Sequence, residues 1–415
     1  MKNHLILSLI IIIAFLSRMS GQDNLEVISL QECYDLALEN NWQLKVAQAD
    51  ISVADLEIQK SKTAFFPAIE GNSTLNSFNI PDFALNAFTW NNTISANQTV
   101  IDFGRRKKTV ASTTAQRQTA NIDYQLTWLD VKENIALSYV NVLQNQEVLE
   151  ILKQRNQNDK ALLDEINERY ELGVTRYSNL LQARVAFNNS TIAVAVAEKN
   201  LENSINQLSL PLNSTLETVK KVGGQLETLF ELSVTGYSLE NLPEMQRAEA
   251  QIQMQQANLL GAKTENKPMV AAFATAGYGN SIFIDYGFNW NAGLNLSMPL
   301  FTAGRIRKNI EQEQVRLNRL NVEKKGLGWE IERQLQSADI AIAEAGQRID
   351  NFIFALSSAR ENVEIAEGEF REGLTSFNNV TDARILLLNA ELEYINALAD
   401  LRRVEIQKLS LLGTL

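Results

Sequence analysis

Reaction chemistry in a polypeptide starts with nucleophiles, bases and metal ligands, and this chain is short of them. Its 415 residues hold one histidine, His4, and one cysteine, Cys33. His4 falls in a leader-like stretch, so the exported chain has no imidazole for a Ser/His/Asp triad, a Cys/His pair or a histidine metal site. Cys33 has no second thiol for an internal disulfide, and it lies well past the apolar run at the amino terminus. It reads as a small buried helix residue rather than a lipidated thiol. Paired carboxylates are the remaining catalytic option, but no constellation stands out from the solvated Asp and Glu of long helices. The sequence therefore points to a non-enzyme without cofactor or metal, whose working residues act by shape and wetting.

The stretch FNWNAGLNLSMPLFTAGR, residues 288 to 305, shows what kind of wetting. Phe288, Trp290, Ala292, Leu294, Leu296, Met298 and Leu300 alternate with Asn289, Asn291, Gly293, Asn295 and Ser297, the period-two signature of a strand with one apolar and one amide-rich face. FTWNNTISANQTVI repeats the pattern with Phe88, Trp90, Ile94, Ala96 and Val100, interrupted by Asn92 and Gln98.

At the amino terminus, Lys2 precedes an apolar run from Leu5 to Leu16 and then Ser17 to Gly21, which reads as a signal peptide over 1–21. Without Lys2 and Arg18, 36 basic residues face 49 acidic ones, a balance of −13 that makes nucleic acid an improbable partner. No later run reaches the roughly 18 apolar residues of a membrane-spanning helix, so any crossing must use strands.

Shifting the chain by about 200 residues superimposes its halves. Trp90 falls on Trp290, Gly104 on Gly304, Arg105 on Arg305, and ERYELGVTRYSNLLQAR (168–184) on GEFREGLTSFNNVTDAR (368–384). The first repeat, 22–210, is expected to hold a leading helix from Leu30 to Lys62, a strand pair over 68–101, a long helix over 105–171, a glycine turn at 172–175 and a return helix over 176–208. A connecting segment, 211–242, follows. The second repeat, 243–415, then holds a helix, a strand pair over 269–300, a long helix over 305–371, a turn at 372–375 and a return helix over 376–411. Leu335, Ile342, Ile349, Leu356, Val363 and Phe370 recur every seventh residue, with Ala338, Ala345, Phe352, Ala359 and Ala366 three places on. Ile135, Val142, Leu149, Leu163 and Tyr170 keep that register in the first half, broken at Asn156. This is a left-handed coiled-coil seam, and a helix of about 67 residues spans on the order of 100 Å.

Strand pairs of this kind cannot hide their apolar faces in a helical rod, and an open edge is not tolerated in lipid. Several copies must pool strands into a closed barrel, greasy side outward, with Phe88, Trp90, Phe288 and Trp290 as interfacial anchors against membrane lipid. A periplasmic coiled-coil adaptor or a structural envelope protein are the rival readings; the first lacks room for flanking β domains, and the second has no need of duplicated turns.

SLQECYDLALENNWQL, the corners TVIDFGRR and MPLFTAGRIR, and the two glycine-turn segments resemble the TolC-like outer-membrane efflux family over essentially the whole mature chain. The resemblance implies a mostly α fold with β: a homotrimer with a helical α-barrel in the periplasm and one shared 12-stranded transmembrane β-barrel. It implies an exit duct in the outer membrane for a tripartite efflux pump or type I secretion system, working with a periplasmic membrane-fusion adaptor and an inner-membrane transporter of the RND, ABC or MFS type. The glycine turns would be periplasmic tips that dock the adaptor through Tyr170, Gly173, Thr175, Leu180, Ala183 and Arg184, with Phe370, Gly373, Thr375, Val380, Ala383 and Arg384. Aspartates that narrow the tunnel in this family correspond here to Asn179 and Asn379, while Asp382 keeps its carboxylate, so a thinner acidic gate is expected.

Overall fold

The computed structural model describes residues 27–80, 85–214, 221–229, 236–281 and 285–415. The expected leader lies outside them, as do parts of the connecting segment. The described chain divides into two compact units. One holds residues up to Trp42 with Trp128–Gly236 and Arg333–Leu415; the other holds Gln43–Thr127 and Tyr237–Glu332.

After a two-residue strand β1 (Val27–Ile28), helix α1 (Leu30–Asn40) opens on a capping box. The Ser29 hydroxyl accepts from Glu32 N at 3.3 Å, and the Glu32 carboxylate accepts from Ser29 N at 2.7 Å. Cys33 is fully buried, and burial, with the nearby Glu32 charge, pushes its thiol up to about 12. The expected single leading helix is broken at Asn41, whose extended backbone separates α1 from α2 (Trp42–Thr63). The Asn41 amide donates to the Pro211 carbonyl at 2.8 Å and the Asn213 amide donates to the Asn40 carbonyl at 3.2 Å, so two chain segments cap each other.

Strands β2 (Ala68–Ile80) and β3 (Leu85–Ile101) form a hairpin; helix α3 (Arg105–Glu171) and helix α4 (Tyr177–Leu212) follow, α4 carrying Pro211 into its last turn rather than stopping before it. The link contributes β4 (Lys221–Val222), and helix α5 (Pro243–Ala262) begins on a proline, whose missing N–H has no helical partner to lose. Strands β5 (Met269–Ser281) and β6 (Asp285–Ser297), helix α6 (Arg305–Arg371) and helix α7 (Phe377–Leu412) repeat the plan.

The large sheet has the order β2-β3-β5-β6, with every pair antiparallel. Its register places Phe88, Trp90, Ile94, Ala96, Ala276, Tyr278, Phe288, Trp290 and Leu294 on one face, and Asn91, Thr93, Ser95, Asn97, Thr275, Asn289, Asn291 and Asn295 on the other. The apolar face is bare: Ile94 is 64% and Trp290 72% exposed. Gln98, which interrupts that face, turns its amide to donate to the carbonyls of Phe65 and Thr99 at 3.1 and 2.9 Å.

At Gly277 on β5 the neighbouring strand β3 leaves no room for a side chain. A Cβ there would lie 2.6 Å from the Asn92 carbonyl oxygen and 2.9 Å from Thr93 Cγ2. Gly277→Ala is therefore expected to force the two strands apart and destabilise by about 1–3 kcal/mol. A thermal unfolding midpoint below that of the wild type checks it; an unchanged midpoint would refute the close approach.

In the other unit, Leu335, Ala338, Ala345, Ala359, Ala366 and Phe370 of the seam are buried, as are Ile135, Val142 and Leu149. The break at Asn156 has a use, since its amide donates to Ser190 Oγ at 3.0 Å and Thr191 Oγ1 at 2.9 Å on α4. The link is held to α3 by two side chains. The Gln146 amide accepts from Val222 N at 2.6 Å and donates to its carbonyl at 3.1 Å, imitating a strand neighbour, and the buried Tyr139 hydroxyl lies 2.7 Å from the Gly223 carbonyl. β4 pairs in parallel with β1 beside them.

Candidate functional site

The two turns between long and return helices are built alike. Gly173 and Gly373 take φ of 73° and 77°, a left-handed conformation that costs a side chain about 1–2 kcal/mol and glycine nothing. The amide of Val174 reaches back to the Arg169 carbonyl at 2.9 Å and that of Leu374 to the Glu369 carbonyl at 2.8 Å, the six-to-one bond that ends a helix on glycine. Asn179 and Asn379 begin the return helices, and each donates its side-chain amide to a threonine hydroxyl, Thr175 at 3.0 Å and Thr375 at 2.6 Å. These asparagines brace the turns. Asp382 is exposed and makes no ion pair among the described residues.

The residues named for the tips separate into two groups. Leu180, Ala183, Phe370, Val380 and Ala383 are buried in one core with Ile166, Ala366 and Phe377, so their side chains are spent joining the two hairpins. Ala183 and Ala383 pack in that core against helices of this same chain. Tyr170, Gly173, Arg184 and Gly373 are exposed, and Thr175 and Thr375 are half-buried. Tyr170 packs tilted against Tyr177 with centroids 5.4 Å apart, Phe370 meets Phe377 edge to face at 5.6 Å, and the Arg169 guanidinium lies over the Phe370 ring at 5.7 Å.

Arg184 and Arg384, matched in sequence, differ in the structure. Arg384 donates to Glu367 at 2.8 Å, to Asp159 at 3.2 Å and to the Asn158 carbonyl at 3.3 Å, while Arg155 approaches Asp159 at 3.4 Å. This ties α3 of the first hairpin to α6 and α7 of the second. Asp159 is 5% and Arg384 18% exposed, so the charges are poorly solvated. Clefts of about 280 and 370 Å³ flank the guanidinium. The residues 200 positions from Glu367 and Asp159 are Asn167 and Ala359, which leaves Arg184 without an ion pair among the described residues. Sequence spacing carries no sign of this network, because only the packing of one hairpin on the other brings Asp159 near Arg384.

In the sheet, Phe88, Trp90, Phe288 and Trp290 gather on the apolar face near the β2–β3 and β5–β6 turns, all exposed. The Trp90 indole donates to Ser73 Oγ at 3.2 Å. Tyr278 stands between them on β5, opposite Phe288 and Asn92; alternation through GYG would have found it. At the opposite strand ends Phe66, Phe103, Leu300 and Phe301 are exposed as well.

The strand-to-helix corners rest on paired left-handed residues, Phe103 with Gly104 and Ala303 with Gly304. Asp102 accepts from Gly104 N at 3.0 Å, Arg106 N at 2.9 Å and Arg106 Nε at 2.7 Å. Burial alone would raise its carboxyl, but these bonds and the guanidinium charge outweigh it and hold it below the usual range. Arg106 also donates to the Thr99 carbonyl at 2.7 Å, which fixes the end of the strand to the helix.

No helix among the described residues is long and apolar enough to cross a membrane. The model of the outer membrane efflux protein family matches residues 33–214 and again 235–414, once for each repeat. The chain belongs to the outer membrane efflux protein family. It is 22% identical over 409 residues to the solvent efflux pump outer membrane protein SrpC of Pseudomonas putida, covering 93% of this chain and 85% of that one. It is 20% identical over 416 residues to the outer membrane protein TolC of Escherichia coli, covering 93% and 82%. Its fold matches the crystal structure of the CmeC outer membrane channel of Campylobacter jejuni with a TM-score of 0.79, at 19% identity over 93% of this chain and 85% of that one. As a member of this family the chain is an exit duct of the outer membrane, with its strands in that membrane and its long helices in the periplasm. The readings as a periplasmic adaptor or an envelope fibre fall away.

Proposed function

We propose that three copies of the chain form the duct, each giving four strands to one barrel of twelve, and that the duct conducts passively with no reaction chemistry on the chain. The observation that supports this best is the sheet itself: one face is apolar and bare, and its outer strands β2 and β6 are each 13 residues long with an unpaired edge. Lipid does not tolerate such edges, and pairing β6 of one copy with β2 of the next removes them all. The amide face then lines a wet bore.

The helical end takes its cargo from a periplasmic membrane-fusion adaptor and an inner-membrane transporter of the RND, ABC or MFS type, in an efflux pump or a type I secretion system. Adaptor contact falls to the exposed Tyr170, Gly173, Arg184 and Gly373 and the half-buried Thr175 and Thr375, positioned by the buried core behind them. Opening is a shift of one hairpin's packing on the other. The test is a purified, detergent-solubilised sample. A heat-resistant trimer that passes ions across a planar bilayer supports the reading, and a monomer soluble without detergent refutes it. Crosslinking at Thr175 or Thr375 in cells should capture the adaptor.

Asp382 in three copies gives a sparse acidic mouth. Asn379→Asp should double the carboxylates there while keeping the turn, since the Thr375 hydroxyl can donate where it now accepts. Block of the channel current by trivalent cations is expected to strengthen by about tenfold or more, and an unchanged block would place residue 379 away from the conducting path.

A further inference from the structure

Directly below the exposed aromatics Phe66, Phe103 and Phe301, the chain changes character. Helix α3 begins Arg-Arg-Lys-Lys and α6 begins Arg-Ile-Arg-Lys, with no acidic residue in either first turn. Basic side chains are disfavoured at helix starts by the helix dipole, and the exported chain as a whole is acidic, so this placement runs against both local preference and overall charge. The last turn of α2 adds Lys60 and Lys62, and the turn after α5 adds Lys263 and Lys267. Some of these cations have structural employment: Arg106 holds Asp102, Arg105 donates to the Thr264 carbonyl at 3.1 Å, and Lys60 pairs with Glu57. Lys62, Lys107, Lys263 and Lys267 make no ion pair among the described residues and are exposed. Arg307 and Lys308 share one exposed acid, Glu311, at 3.7 and 2.6 Å, and Arg305 lies 3.9 Å from Glu265.

The level of this collar is set by the strands. From Trp90 to Val100 is ten residues, about 33 Å along a strand and about 25 Å across a membrane once tilted, the height of the apolar band of an outer-membrane barrel. The collar therefore falls at the headgroups of the leaflet that faces the helices.

We propose that Lys62, Lys107, Lys263, Lys267, Arg307 and Lys308 form a docking surface for anionic phospholipid headgroups of that leaflet. The inference rests on the membrane-duct reading and adds to it a lipid partner selected by charge. Each basic residue near an anionic surface favours it by a factor of about five, and three copies would repeat the collar around the barrel.

The test compares the wild-type trimer with a variant carrying Lys107→Gln, Lys263→Gln, Lys267→Gln, Arg307→Gln and Lys308→Gln. Both are placed in phosphatidylcholine vesicles containing about a tenth phosphatidylglycerol, and the lipid retained after detergent extraction is weighed against the bulk. The wild type should hold phosphatidylglycerol at about threefold or more its bulk fraction, losing it at about 0.5 M salt, while the variant stays near bulk. Equal retention by both proteins, or bulk retention by the wild type, overturns the proposal. So does equal displacement by inorganic phosphate, which would show that any small anion suffices. Vesicle flotation in pure phosphatidylcholine separates the two levels: a variant that floats has folded and inserted, whereas a wild type that never floats overturns the membrane-duct reading itself.

Discussion

Arginine at Ile94 is expected to prevent accumulation of the trimer in the outer membrane, whereas arginine at Ser95, one residue on, is expected to be tolerated. Ile94 lies on the apolar face, opposite Gly71 on β2 and Ala276 on β5, near mid-strand. A charged side chain at the midplane on the lipid side of a barrel costs about 2–4 kcal/mol, and a trimer carries it three times. Ser95 faces the other way, opposite Glu70 and Thr275, where water solvates an arginine and Glu70 can pair with it. The yield of heat-resistant trimer in the outer-membrane fraction reads both. Equal damage from the two substitutions would show that the faces have been assigned wrongly.

The second large effect concerns gating. Arg384→Ala removes the guanidinium that joins Asp159 to Glu367 and leaves Asp159 with Arg155 at 3.4 Å as its counter-charge. Orphaning a buried charge costs about 3–5 kcal/mol, reduced here to about 1–3 because Arg155 stays beside Asp159 and Arg384 is partly wetted. The network spans the two hairpins, so the loss falls on their mutual packing and not on either coiled coil alone. A closed-to-open equilibrium moved by that amount shifts about fivefold to a hundredfold. Open probability in planar bilayers should rise accordingly, Arg384→Lys should recover part of the closure because one ammonium replaces a two-pronged donor, and Arg184→Ala should change little. Unchanged gating in Arg384→Ala, with lowered thermal stability, would reduce the network to a purely structural tie.

What could be read in advance follows from the range of the interactions. The repeats, glycine turns, strand faces and heptad seam are encoded within a few residues of themselves: glycine at a left-handed corner, alternation over a strand, an apolar residue every seventh place. The break at Asn41 depends on a carbonyl 170 residues away, and the passage of α4 through Pro211 on the same junction. Position 180 or 383 reads as a helix residue in sequence, and whether it faces a partner protein or a sister hairpin is decided by tertiary packing. The Arg384 network combines an arginine that is duplicated with acids that are not, so comparing the halves for likeness hides it. The corner offers the converse: the Asp102–Arg106 pair is local and legible, yet the second repeat has Thr302 and Ile306 at the corresponding places and keeps its shape through Ala303 and Gly304 alone.

The central ladder of the sheet joins Ala96 to Ala274, and Ile94 to Ala276. Such a pairing imposes a schedule on biogenesis. The β2–β3 hairpin can close as soon as it leaves the secretion channel, but its free edge waits for residues 102–268 to be exported before β5 arrives. Throughout that interval the backbone edge of β3 is unpaired and its apolar face lies in an aqueous compartment, which makes the exported intermediate prone to pairing with other chains until β5 and β6 have emerged.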